Sequence, residues 1–212
     1  MIECLVCKSK RIELFDIIKD QTYWKCKHCC ARFLDKKHYV DLQTEKKHYL
    51  KHNNNIKDIG YRKFLSKLII PLKKKISIND LGLDYGCGHG PALIDILHGE
   101  GYKIEYYDPF FFPNENIFFK IFQFITCSEV VEHFFNPYEE FNKIDNILDH
   151  NGWFGIMTSF MIEDQFFKNW YYRRDPTHVV FYKEKTFEVI ASQRNWDIII
   201  PCKNVVLFNK KK

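Results

Sequence analysis

No apolar run in this 212-residue chain approaches the ~20 residues that a membrane-spanning helix needs, which excludes a helical anchor. The opening Met1-Ile2-Glu3-Cys4 has neither a basic leader region nor an apolar one. A secretory signal is therefore not expected, and the expectation is a cytoplasmic location. Without an oxidising compartment, the eight cysteines are not expected to pair as disulfides. Also lacking is a surplus of charge spread along the chain. The net +5 arises from a lopsided distribution, with +3 in residues 1–34, +8 in 35–75 and −6 in 76–212. A basic front third on an acidic remainder is suited to phosphates or another polyanion, although a lysine-, isoleucine- and asparagine-rich composition produces the same bias without a partner.

What is present begins with the cysteines. Cys4-x2-Cys7 and Cys26-x2-Cys29, 18 residues apart, have the spacing of paired zinc knuckles. Each knuckle supplies two soft ligands to a tetrahedron. Two short strands between them, around Lys19-Asp20-Gln21, predict a zinc ribbon over residues 1–34. A unit this small draws much of its folding free energy from the metal. The spacing favours Cys29 over the adjacent Cys30 as ligand, and an all-cysteine set predicts a closed, structural Zn2+ site.

Residues 35–75 read as a basic helical connector. Tyr61-x2-Phe64-Leu65-x2-Leu68-Ile69 has helical spacing and is expected to stop at Pro71. A turn is expected at the three adjacent asparagines, Asn53 to Asn55.

Residues 76–212 read as an α/β domain. Leu83-Asp84-Tyr85-Gly86-Cys87-Gly88-His89-Gly90-Pro91 lies between a strand pattern and a helix pattern, where open α/β sheets hold nucleotide-like ligands. A nicotinamide fingerprint needs a third glycine where Pro91 stands, which disfavours an oxidoreductase. The next strand ends at Asp108, an acid suited to ribose hydroxyls. Only 13 residues separate Asp108 from Phe122, so the sheet is expected to be abridged on that side. After the strand ending Thr126-Cys127 comes Ser128-Glu129-Val130-Val131-Glu132-His133, expected on a helical turn with Glu129, Glu132 and His133 on one face. Asn136-Pro137 is expected to cap and start a helix. The aromatic run 166–172 and Arg173-Arg174 are read either as a slot for an anionic substrate or as core.

Residues 84–90, Asp108 and the run 129–133 fall in an order that resembles the class I S-adenosylmethionine (SAM) methyltransferases. The resemblance covers roughly 76–210 and implies an α/β, Rossmann-like seven-stranded methyltransferase sheet, abridged after its second strand, behind the ribbon. It implies cofactor contacts from Asp84, Gly86, Gly88, Gly90, Asp108 and Cys127. Glu129-x2-Glu132-His133 with a later His178 is similar to small-RNA 2′-O-methyltransferases and, in part, to ubiquinone-pathway O-methyltransferases. That likeness implies that Glu129, Glu132, His133 and His178 are catalytic and hold Mg2+ or another divalent cation; His133 as a metal-free general base is the competing role. The ribbon is similar to that of some sugar and ribosomal-RNA methyltransferases. The whole chain looks like a bacterial zinc-ribbon group marked by EVVEH and DPTHV. Gln123 departs from the aspartate of many relatives, and there is no Asn-Pro-Pro-Tyr run of amino-methylating enzymes. The expected activity is O-methyl transfer to a small-molecule or RNA hydroxyl, with nucleic acid approaching through 35–75. The competing reading is a catalytically silent SAM-binding module for RNA or protein.

Overall fold

A computed structural model describes residues 2–51, 55–161 and 163–212. Two of the three expected turn asparagines, Asn53 and Asn54, lie outside the described residues. Two sheets organise the chain. The first contains β1 (Ile12–Ile18), β2 (Gln21–Cys26) and β3 (Arg32–Leu34), all antiparallel. Lys19 and Asp20 turn the β1–β2 hairpin with φ of 48° and 66°, the left-handed pair that matches strand twist. Two helices follow, α1 (Leu42–Tyr49) and α2 (Ile59–Lys73).

The second sheet uses β4 (Leu81–Tyr85), β5 (Lys103–Tyr107), β6 (Phe122–Ser128), β7 (Leu148–Met157), β9 (Trp196–Cys202) and β10 (Val205–Lys210). Their spatial order is β5-β4-β6-β7-β10-β9, parallel through β7 and antiparallel at the β9–β10 end. Helices α3 (Ala92–Gly99), α4 (Pro137–Ile147) and α5 (Glu184–Arg194) complete it. This is an α/β, Rossmann-like arrangement with a mixed central sheet. It has six strands among the described residues, not the expected seven. The stretch between Asp108 and Phe122 holds a single bridge from Phe112 back to Asp108 and a 3-10 turn, Glu115–Phe119, but no strand, so β5 has no outer neighbour. A strand plus crossover helix does not fit in so few residues.

Residues 35–75 are more than a connector. Asp58 caps α2 by accepting from Tyr61 N at 2.6 Å, and Leu65, Leu68, Ile69 and Leu72 are buried against Phe124, Met157 and Leu207 of the sheet. The helix passes through Pro71 to Lys73 rather than stopping there; the proline forfeits the one N–H bond to Lys67 O, and only two helical residues follow it. Beneath it, Gly82 of β4 leaves room for the Phe124 ring; a Cβ there would fall 2.1 Å from Phe124 Cζ.

The first sheet does not end with the ribbon. Its fourth strand is β8 (Val180–Phe181), pairing Arg32 with Phe181 and Phe33 with Val180. Leu34 N donates to Val179 O, and Val179 N donates to Glu132 O, both at 2.9 Å. A run of three consecutive segments thus links the cysteine clip to the Glu129–His133 turn. Asp164 adds side-chain ties, accepting from Arg32, from Lys25 at 3.0 Å and from Lys183 at 3.3 Å. Among the described residues no helix is long and apolar enough to cross a membrane.

Candidate functional site

The parallel strands end at a cavity of about 1030 Å³. Its wall includes Asp84 and all of 86–90. Gly86 and Gly88 take φ of 86° and 64°. At Gly86 a Cβ would also strike Val130 Cγ1 at 2.5 Å, so the loop's close approach to the next turn requires glycine there. Gly86 N and Cys87 N both donate to Tyr107 O, at 2.7 and 3.2 Å. Gly90 lines the cavity too, and its carbonyl accepts from Ala92 N at 2.8 Å as α3 begins.

Asp84 lies beneath this loop, 5% exposed, with Oδ1 accepting from Thr126 Oγ1 at 2.7 Å. Burial, reinforced by the Asp108 carboxylate, pushes its pKa up to about 7. Asp108 is itself bound to backbone. Oδ2 accepts from Gly88 N at 2.9 Å, and Oδ1 from Phe110 N at 2.8 Å and Phe111 N at 3.0 Å. Cys127, expected among the cofactor contacts, is corrected: it is fully buried in the core of β6 and does not line the cavity, because its side chain points to the sheet's packed face.

The Glu129–His133 run also differs from a single helical turn. Glu129 takes φ of 54°, with its N–H donating to Met157 O at 2.7 Å. The 3-10 turn starts only at Val131. Glu129 therefore leaves the face shared by Glu132 and His133, though it lines the cavity. Burial, and then the Glu132 carboxylate, push its pKa up to about 9. One ligand atom from each of Glu132, His133 and His178 lies within 4.8 Å of the others, a group that does not include Glu129.

Glu132 is wholly buried, accepting from Thr158 Oγ1 at 2.9 Å and from the Tyr172 hydroxyl. Burial raises its pKa, as it does that of Tyr172. His133 Nδ1 lies 3.1 Å from Thr177 O, and His178 Nδ1 lies 2.7 Å from Tyr172 O. A carbonyl only accepts, so both Nδ1 atoms carry the proton. In the neutral rings each Nε2 then presents a lone pair. The rings stand 4.6 Å apart, centroid to centroid, and both line the cavity. The Asp175 carboxylate holds the second loop by accepting from Thr177 N at 2.9 Å and Thr177 Oγ1 at 2.6 Å.

Sequence reasoning missed the supports Tyr172, Thr158 and Asp175; it read 35–75 as helical in pieces but named no residue of α1 as part of the site. Asp41 caps α1 by accepting from Thr44 N at 2.9 Å, and Leu42, Glu45, His48 and Tyr49 wall the cavity. Only the hydrophilic inner positions of a lysine-rich helix could have signalled this. Of the expected anion-binding pair, Arg174 lines the cavity, while Arg173 is buried with its Nη1 3.1 Å from Tyr23 Oη.

The other cluster is sealed. Cys4, Cys7, Cys26 and Cys29 are all buried, with Sγ–Sγ separations of 3.5 Å for Cys4–Cys29 and 3.6 Å for Cys7–Cys26. Four sulfurs about 2.3 Å from one tetrahedral zinc would be about 3.8 Å apart, so this donor set fits that ion. Cys30 is not one of the four. It takes φ of 64° where its knuckle closes, with its N–H donating to Cys26 O at 3.0 Å, as Lys8 (φ 59°) does to Cys4 O.

With this geometry in hand, comparison with known proteins adds three findings. The family described as a methyltransferase domain matches residues 58–199, from α2 into β9. No curated protein matches the chain. Among solved structures, a SAM-dependent methyltransferase from Archaeoglobus fulgidus is similar at a TM-score of 0.53 and 15% identity, over 70% of this chain and 94% of that one. The PH0226 protein from Pyrococcus horikoshii OT3 is similar at 0.51 and 14%, over 78% and 99%.

Proposed function

The chain belongs to the methyltransferase-domain family and is a SAM-dependent methyltransferase; from that premise we propose that its acceptor is a hydroxyl and that a divalent cation held by Glu132, His133 and His178 assists the transfer. The cavity is of the size that encloses a cofactor-sized ligand, and the backbone of its glycine loop lines it. Gly86, Gly88 and Gly90 would hold the methionine portion, braced by Asp84, with Asp108 toward the ribose. SAM supplies an already activated methyl group, so the chain's task is alignment and proton removal.

The observation that carries the metal reading is the tautomer of the two imidazoles. Each donates Nδ1–H to a fixed carbonyl and keeps Nε2 as its second ring nitrogen, 3.9 Å from Glu132 Oε1 for His133 and 3.9 Å from Asp175 Oδ2 for His178. Such outer hydrogen bonds orient histidine ligands. Two imidazoles and one carboxylate suit Mg2+, Mn2+, Fe2+ or Zn2+, and a cation there would acidify an acceptor hydroxyl. Thr158 and Tyr172 keep Glu132 in place, and Glu129 lines the same cavity. The acceptor belongs to a small molecule or an RNA. The lysines of α1 beside the cavity support an anionic one, with Lys46 lying 5.9 Å from the Phe111 ring.

The test is transfer of labelled methyl from SAM into fractionated cell extract. The expected result is label in a hydroxyl-bearing RNA or small-molecule fraction. His178→Ala should lower the rate about a hundredfold or more while leaving S-adenosylhomocysteine binding intact. Full activity after dialysis against chelator, with the four-sulfur metal still bound, removes the cation from the reaction.

A further inference from the structure

α1 carries an acid where an outward-facing position would be expected. Its last turn holds Lys46, Lys47 and His48, cationic partners for a surface glutamate. Glu45 instead turns inward, 4% exposed, on the cavity wall. Among the described residues its one hydrogen bond comes from the Tyr49 hydroxyl to Oε1, at 2.6 Å. A buried carboxylate with a single donor is costly unless a ligand supplies more. Burial raises its pKa, and the Asp108 carboxylate adds to the rise, so the two acids are within electrostatic reach.

Asp108 cannot satisfy a ribose alone. A carboxylate offers about four lone-pair positions. Three are taken, by the N–H groups of Gly88, Phe110 and Phe111. One remains, whereas a 2′,3′-diol brings two O–H donors. The short stretch after β5 supplies no further acid among its cavity-lining residues, which are Pro109, Phe110 and Phe111.

We propose that Glu45 is the second acceptor for the adenosyl ribose, so that Glu45 and Asp108 each take one hydroxyl of the diol. This rests on the SAM reading above. The donor-poor oxygen is Glu45 Oε2, left over once Tyr49 occupies Oε1. Tyr49 is a positioning residue: its ring lies 5.6 Å from Phe110 and 5.2 Å from His133, which sets α1 against both the cofactor side and the histidine side of the cavity.

The experiment is calorimetric titration of the full chain with S-adenosylhomocysteine and with its 2′,3′-dideoxy analogue. Glu45→Ala should weaken the first ligand about tenfold, and Glu45→Gln, which keeps one acceptor, by less. Tyr49→Phe should weaken it about threefold. None of the three should change affinity for the analogue. Equal loss for both ligands, or no loss for either, overturns the proposal and leaves SAM binding standing. Should Glu45→Ala not fold, the near-isosteric Glu45→Gln gives the same comparison. Failure of the unaltered chain to take up S-adenosylhomocysteine overturns the SAM reading itself, and this inference with it.

Discussion

The chain gathers metal-type donors in two places, and the two are built on opposite plans. The sulfur cluster draws all four donors from residues 4–29, buries every one and leaves no opening. The glutamate–histidine cluster draws from turns 45 residues apart, Glu132–His133 and His178, and opens through both imidazoles onto a large cavity. Closed all-cysteine sites hold structure together, and sites with an open side do chemistry. The difference also separates what loss of each should do. Removing a sulfur should damage the fold, and removing an imidazole should damage the reaction. The two are nonetheless in register, since Val179 is hydrogen-bonded to Leu34 on one side and to Glu132 on the other.

The largest expected effect tests the closed side. Cys26→Ser should release the ribbon metal and lower the melting temperature by about 10 °C or more, read by metal analysis and thermal unfolding. An unchanged melting temperature would erase the contrast between the clusters. Next comes the cavity side, where pH is the probe. Asp84 has a folded pKa near 7 against an ordinary 3.8, so the folded state holds its proton more tightly. Its contribution therefore favours the fold at low pH and declines as pH rises toward 7. Asp84→Asn retains an acceptor for Thr126 and removes the titration. The stability of the variant relative to the parent should rise by roughly 3 kcal/mol or less between pH 5 and 7.5 in ligand-free urea unfolding. A flat difference would show that Asp84 is not the titrating group. The smallest effect sharpens the ligand assignment. Cys30→Gly relieves a left-handed residue and should add up to about 1 kcal/mol of stability with metal content unchanged. Loss of metal would move the fourth ligand from Cys29 to Cys30.

How legible each region is follows from the same contrast. The clip is written in local spacing, because a knuckle is a tight turn whose ligands lie three residues apart. The glycine loop is equally local, and it is found where the strand-to-helix pattern places it. The glutamate–histidine cluster is only half legible. His178 joins it through β8, a two-residue strand with no periodicity to read. Glu129 leaves it through one positive φ at a position occupied by glutamate, which gives no cue. Asn136 has the identity of a helix cap but makes no side-chain capping bond, since ψ of 73° turns it away from the first turn. Gln123, the departure from an expected aspartate, accepts from Leu81 N at 3.0 Å and donates to Asp149 at 3.1 Å, joining β4 to β7 across β6. The missing seventh strand follows from chain length alone. The inward glutamate of α1 was hidden because a short basic helix reads as solvated when its neighbours in space are unknown.

The shared rung at Val179 has one more consequence. A chain that began at α2 would keep the family core yet leave β8 with a bare hydrogen-bonding edge beside the His178 loop, and exposed edges recruit other chains. The ribbon is thus no detachable ornament: whatever reshapes it also retunes where His178 rests, so the two ends of this molecule must change together.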